Sequence, residues 1–115
     1  MPTFKQGDIV RVPFPYTDRD TRQRRPALVV SDGPAGEDGA LLWVVMITSA
    51  ENRSWSSDIR IRDHTKVGLP APSVIRPVKV ATIESQHAET VGKVTTSTLI
   101  AVMRRIRMII AAQES

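Results

Sequence analysis

Apolar residues recur along this chain in short strand-like runs until the C-terminal segment, where the spacing becomes that of a helix. Residues 7–14 read as a strand through Ile9, Val10 and Val12, and residues 26–31 as another through Ala27, Leu28, Val29 and Val30. A turn-rich stretch with Gly33, Pro34, Gly36 and Gly39 leads into residues 40–48, ALLWVVMIT. That run is nearly continuous apolar and β-branched, the pattern of a strand buried on both faces, and it places Trp43 in the core. Residues 49–57 form a polar loop carrying Arg53 and Trp55. Residues 58–62 then alternate, Ile59 and Ile61 on one face and Arg60 and Arg62 on the other.

Residues 63–72 return to loop composition. Residues 73–83 supply two short strand-like pieces split near Pro77, which must sit at an edge, a bulge or a break in the ladder. Residues 85–94 are polar apart from a VGKV run suited to edge pairing. From Thr96 or Ser97 a helix is expected, because Leu99, Val102, Met103, Ile106, Ile109 and Ile110 follow capping-type residues at helical spacing. Five to seven strands and a terminal helix define a mainly β (α+β) fold, a small antiparallel sheet bent until it closes or nearly closes. Ile100 and Met108 widen the helix's apolar surface beyond one stripe, which points to a second buried contact and a homodimer.

Length and charge narrow this picture. The 115 residues make one domain, residues 1–115, long enough to bury about two thirds of its unfolded surface. A net charge of +4 and a pI near 10.1 favour an acidic or nucleic-acid partner. Arginine supplies 12 of the 16 cationic residues, and its planar guanidinium forks onto phosphate oxygens. With no cysteine, disulfides and thiolate chemistry are excluded, and His64 and His87 give little scope for a metal site. No signal-peptide pattern and no apolar run of about 18 residues is present, so a cytoplasmic protein without membrane, metal or cofactor is expected.

The loop between the first two strands gathers Arg19, Arg22, Arg24 and Arg25 with Asp18 and Asp20. Such a cluster repels itself unless an anion offsets it, so it reads either as a phosphate-binding loop or as a charged loop paired within itself. Arg53 and Trp55 combine a cation with an aromatic plane, which suits single-stranded bases, while Trp55 is equally suited to cap the core. Arg25 at the mouth of the second strand and Thr48 at the end of the third would converge on one rim if those strands are neighbours. Asp63 and His64 read as loop residues rather than an acid-base pair, and Ser31, Ser49 and Ser73 lack the context of a nucleophile.

Five stretches carry a further signal: GDIVRVPFP near the start, RRPALVVS at 24–31, ITS at 47–49, LPAPSVIRPVKVATIE at 69–84 and VGKVTTSTLIAVMRRI near the C-terminus. In order and spacing they resemble the MazF/PemK-like toxins, ribosome-independent endoribonucleases of bacterial toxin-antitoxin pairs. The resemblance implies a small SH3-like β-barrel, a homodimer, and a cytoplasmic antitoxin whose acidic tail lies across the RNA site. It assigns the catalytic arginine to Arg25 and the threonine partner to Thr48, with Arg76 matching an arginine that some members use as well. It also implies metal-independent cleavage of single-stranded RNA. Arg19, Arg22, Arg24, Arg53, Trp55 and Lys79 are then expected to hold the RNA, and Asp20 is a candidate base. Val78 stands where those members carry an aspartate, which leaves a degenerate member as an alternative, and a non-cleaving binding module is another, because the gyrase-poisoning toxins share the same barrel and dimer.

Overall fold

The structure, a computed structural model, describes residues 4–13 and 24–111. Six strands, β1 (Asp8–Val12), β2 (Arg25–Val29), β3 (Leu41–Ser49), β4 (Ile59–Arg60), β5 (Ser73–Glu84) and β6 (Glu89–Lys93), precede one helix, α1 (Thr96–Ile110). They form a single sheet in the order β4-β5-β3-β2-β1-β6, with antiparallel pairing throughout. This is the mainly β fold with a C-terminal helix expected from the pattern, a curled sheet whose outer strands β4 and β6 do not pair with each other.

Alternation along the strands produces two apolar layers. Val10, Val12, Ala27, Val29, Leu42, Val44, Met46, Ala81 and Ile83 face one way and pack with Phe4. Ile9, Leu28, Val45, Ile47 and Ile75 face the other way and meet Val102, Leu99, Met103 and Ile106 of α1. Each such side chain contributes roughly 1.5–3 kcal/mol when fully buried, so the layers rather than the loops hold the sheet. The helix begins where Thr95 Oγ1 accepts the Thr98 N–H at 3.2 Å and ends where Ala111 turns extended.

Two local features bend the sheet. The β3–β5 register jumps between Val45, opposite Val80, and Met46, opposite Arg76, so residues 77–79 bulge out of the ladder. Pro77, which has no N–H to donate, sits in that bulge; the strand runs on through it rather than dividing into two pieces. At the opposite edge Gly92 lies against the Val67 carbonyl and Gly68 against the Val91 carbonyl, where any Cβ would strike backbone. This contact seats residues 67–68 against β6.

The sequence reading of Trp43 requires correction. Trp43 is 56% exposed, opposite exposed Thr82. The apolar run of β3 is buried on both faces only over residues 44–47, because α1 covers the second face from Val45 onward and leaves the Trp43 end open. On the helix, Ile100, Met108, Ile109 and Ile110 are exposed, Met108 at 68% and Ile110 at 74%. The apolar surface therefore extends past the stripe that the sheet uses.

Candidate active site

Strand β2 pairs with β3 through Ala27–Met46, Leu28–Val45 and Val29–Val44. Continuing that register by two residues sets Arg25 opposite Thr48, and cross-strand partners share a face of the sheet. Both line one open cleft of about 190 Å³ whose walls include Pro26, Met46, Ser49, Leu69 and Pro70. The convergence conditional on neighbouring strands is therefore met. Arg25 and Thr48 are both half-buried.

The turn after β3 is fixed by its own side chains. Ser49 accepts the Asn52 N–H on its carbonyl at 3.1 Å and the Glu51 N–H on its hydroxyl at 3.2 Å. The Ala50 N–H donates to the Pro72 carbonyl, tying the turn to the 63–72 loop. Asn52 folds back so that its side-chain amide donates to Thr48 Oγ1 at 2.6 Å.

Two residues back along β3, and on the same face, Arg76 stands opposite Met46. Arg76 is 6% exposed. Its Nε and Nη2 donate to the two oxygens of Asp58, each at 2.9 Å, and Nη2 also donates to the Arg53 carbonyl at 2.8 Å. The guanidinium lies 4.2 Å from the ring centre of Trp55. Asp58 in turn accepts the Trp55 N–H at 2.9 Å. The hydrogen bonds from Arg76 hold the Asp58 carboxyl below its usual value, with the Trp55 N–H and the arginine charge acting in the same direction and burial opposing them. This bidentate pair is the anchor of the loop between β3 and β4. Sequence reasoning missed it, although the β4–β5 register, Ile59 opposite Ile75, puts Asp58 directly across from Arg76 once the two strands are paired.

The other expected RNA ligands divide. Arg53 is exposed on the loop, and the Lys79 ammonium lies 5.7 Å from the Trp55 ring centre. Trp55 is 38% exposed and belongs to neither apolar layer, so it caps the arginine rather than the core. Arg24 donates to the His87 carbonyl at 3.1 Å and lies 3.8 Å from Glu89, which joins it to the start of β6. Arg19, Asp20 and Arg22 lie outside the described residues. Asp63 accepts the Thr65 hydroxyl at 2.8 Å, a turn contact rather than a partner for His64. Among the described residues no three His, Cys, Asp or Glu side chains form a cation-binding group, and no helix is long and apolar enough to cross a membrane.

A short curled sheet with one covering helix and a rim cleft that presents Arg25 and Thr48 defines a class of small mainly β proteins. Within it, the profile of the PemK-like, MazF-like toxin of type II toxin-antitoxin systems matches residues 5–110, and the chain belongs to that family. The fold agrees with MazF from Deinococcus radiodurans, at a TM-score of 0.75 and 19% identity over 96% of this chain and 98% of that one. It agrees also with a solved structure of an endoribonuclease in complex with its cognate antitoxin from a mycobacterial species, at 0.71 and 15% identity over 100% of both chains. The Mycobacterium tuberculosis toxin MazF-mt6 superposes at 0.65 and 18% identity over 86% of this chain and 92% of that one. No curated sequence matches the chain.

Proposed function

We propose that this toxin is a sequence-specific, ribosome-independent endoribonuclease that cuts single-stranded RNA by attack of a 2′-hydroxyl on the adjacent phosphorus, without a metal ion. The observation that carries this reading is the placement of Arg25 and Thr48 on one face of one cleft, within a chain of the PemK-like, MazF-like family. The products are a 2′,3′-cyclic phosphate and a free 5′-hydroxyl. The substrate brings its own nucleophile, so the protein's work is to hold sugar and phosphate in line and to stabilise charge on the phosphorane. Arg25 serves as an electrostatic partner of the non-bridging oxygens, since a guanidinium offers donors and no acceptor. Thr48 donates a hydrogen bond to the same group.

Bases on either side of the cut lie across the loop with Arg53 and Trp55, where an aromatic face and a cation accept unstacked bases. Arg76, its charge offset by Asp58, supports that loop from below. The exposed apolar residues of α1 and Trp43 fit a homodimer, and the cationic character of the chain fits an antitoxin with an acidic tail. In the test, purified protein is incubated with a long single-stranded RNA in excess EDTA and the ends are mapped. Defined cuts bearing cyclic phosphate, abolished in Arg25→Ala and Thr48→Ala, support the reading; intact RNA in the presence of folded wild-type protein sinks it.

A further inference from the structure

The Thr48 hydroxyl has one proton to give and lone pairs to accept with, and what it does at the cleft depends on which of these a neighbour uses. Asn52 uses the second. Its amide nitrogen is 2.6 Å from Thr48 Oγ1, at the end of a turn whose backbone is already pinned by Ser49. We infer that Asn52 is a positioning residue for Thr48, turning its O–H toward the cleft where the scissile phosphate is to lie. This inference rests on the nuclease reading above and adds to it a residue on the β3–β4 loop.

Two physical effects act together. With a lone pair occupied by the amide N–H, the rotamer and hydroxyl torsion that point the proton at the cleft are selected before RNA arrives, so less is lost in ordering them in the transition state. A hydroxyl that accepts a hydrogen bond is also a stronger donor, because the chain of bonds polarises. Neither effect adds a contact between Asn52 and the RNA. The loop thereby couples two tasks, since the segment that offers Arg53 and Trp55 to bases also sets the direction of the Thr48 proton.

The test compares Asn52→Ala, Asn52→Asp and Thr48→Val, singly and as the Asn52→Ala/Thr48→Val pair, with kcat and KM measured on a short RNA containing a mapped site and folding checked by thermal melts. Asn52→Ala is expected to lower kcat about five- to tenfold, the loss of one neutral hydrogen bond, with KM within about twofold of wild type. Asn52→Asp is expected to lower it further, because a carboxylate only accepts and draws the Thr48 proton away from the phosphate. In the Thr48→Val background the alanine change is expected to have no further effect. Side-chain amide NMR adds a readout independent of cleavage: the Asn52 NH2 signals shift in Thr48→Val. Additive losses, an effect confined to KM, Asn52→Asp as active as wild type, or Asn52 amide signals unmoved in Thr48→Val would each overturn the inference. Failure of folded wild type to cut any RNA would instead overturn the nuclease reading on which it rests.

Discussion

Arg76 and Arg25 stand on the same face of one sheet, opposite β3 residues two apart, yet the fold places them differently. Arg76 is buried, clasped by both oxygens of Asp58, bonded to the Arg53 carbonyl and covered by Trp55. Arg25 sits half-buried at the lip of a cleft with Thr48 across from it. Both are arginines beside a proline in the sequence, and both match positions of catalytic interest in the family resemblance. The difference teaches that a guanidinium buried against a carboxylate secures a loop, whereas one lining an open cleft stands where a phosphate can reach it.

The largest effect that separates the two is on stability. Removing one partner of a buried ion pair leaves an uncompensated charge, so Asp58→Ala is expected to destabilise the fold by about 3–5 kcal/mol, read from urea or thermal unfolding. Arg76→Met with Asp58→Leu, which removes both charges and restores volume, should recover most of that loss. The pair also has a pH signature. The folded pKa of Asp58 is depressed, so its stabilisation is fully present above the unfolded value of about 3.9 and is lost as pH falls through the lower folded value. Wild type is accordingly expected to lose stability below about pH 4 more steeply than the doubly apolar variant. Equal acid sensitivity would show that the pair is not what anchors the loop.

At the cleft the ordering is reversed. Arg25→Ala and Thr48→Ala are each expected to raise the cleavage barrier by about 2.7–4 kcal/mol, a rate loss of roughly 100- to 1000-fold, while shifting the melting temperature little. If Arg25→Ala unfolded the protein as readily as Asp58→Ala, the contrast between a clasped and a presented arginine would collapse.

Most of the architecture was legible because strand and helix periodicities are local. The places of β1, β2 and β3 to within one or two residues at each end, the start of α1 at Thr96 and the edge pairing of the VGKV run all follow from runs of apolar and capping residues. What was not legible depended on partners distant in sequence. The exposure of Trp43 is set by how far α1 reaches across the sheet, which no pattern within β3 encodes. The Asp58–Arg76 clamp needs the β4–β5 register, and Asn52 reads as an ordinary turn residue until the turn places its amide on Thr48. Arg25 and Thr48 were named together from the family resemblance, and the strand adjacency that the pattern alone left conditional comes only with the β2–β3 pairing.

Trp55 tests where the two regions meet, since it covers Arg76 and is also the aromatic face offered to RNA. Trp55→Ala is expected to weaken single-stranded RNA binding by about 1–3 kcal/mol in a filter-binding or fluorescence assay, with kcat at saturating RNA largely kept. A large loss of kcat instead would show that the stacked arginine, and not only the loop surface, takes part in the chemical step.

Lys79 gives the smallest and sharpest division. Its ammonium lies 5.7 Å from the Trp55 ring centre, close enough for a cation–π contribution of about 0.5–1 kcal/mol at an exposed site. If Lys79 belongs to the RNA surface, Lys79→Ala reduces the salt dependence of RNA binding by about 0.7 in the slope of log K against log salt, the share of one phosphate contact on a single strand. If it belongs to the clamp, that slope is unchanged and the variant instead lowers the unfolding free energy slightly. We expect the slope to fall, because Arg76 already lies on the same ring at 4.2 Å and is held there by Asp58, so a second cation adds little to the fold and is available to a phosphate.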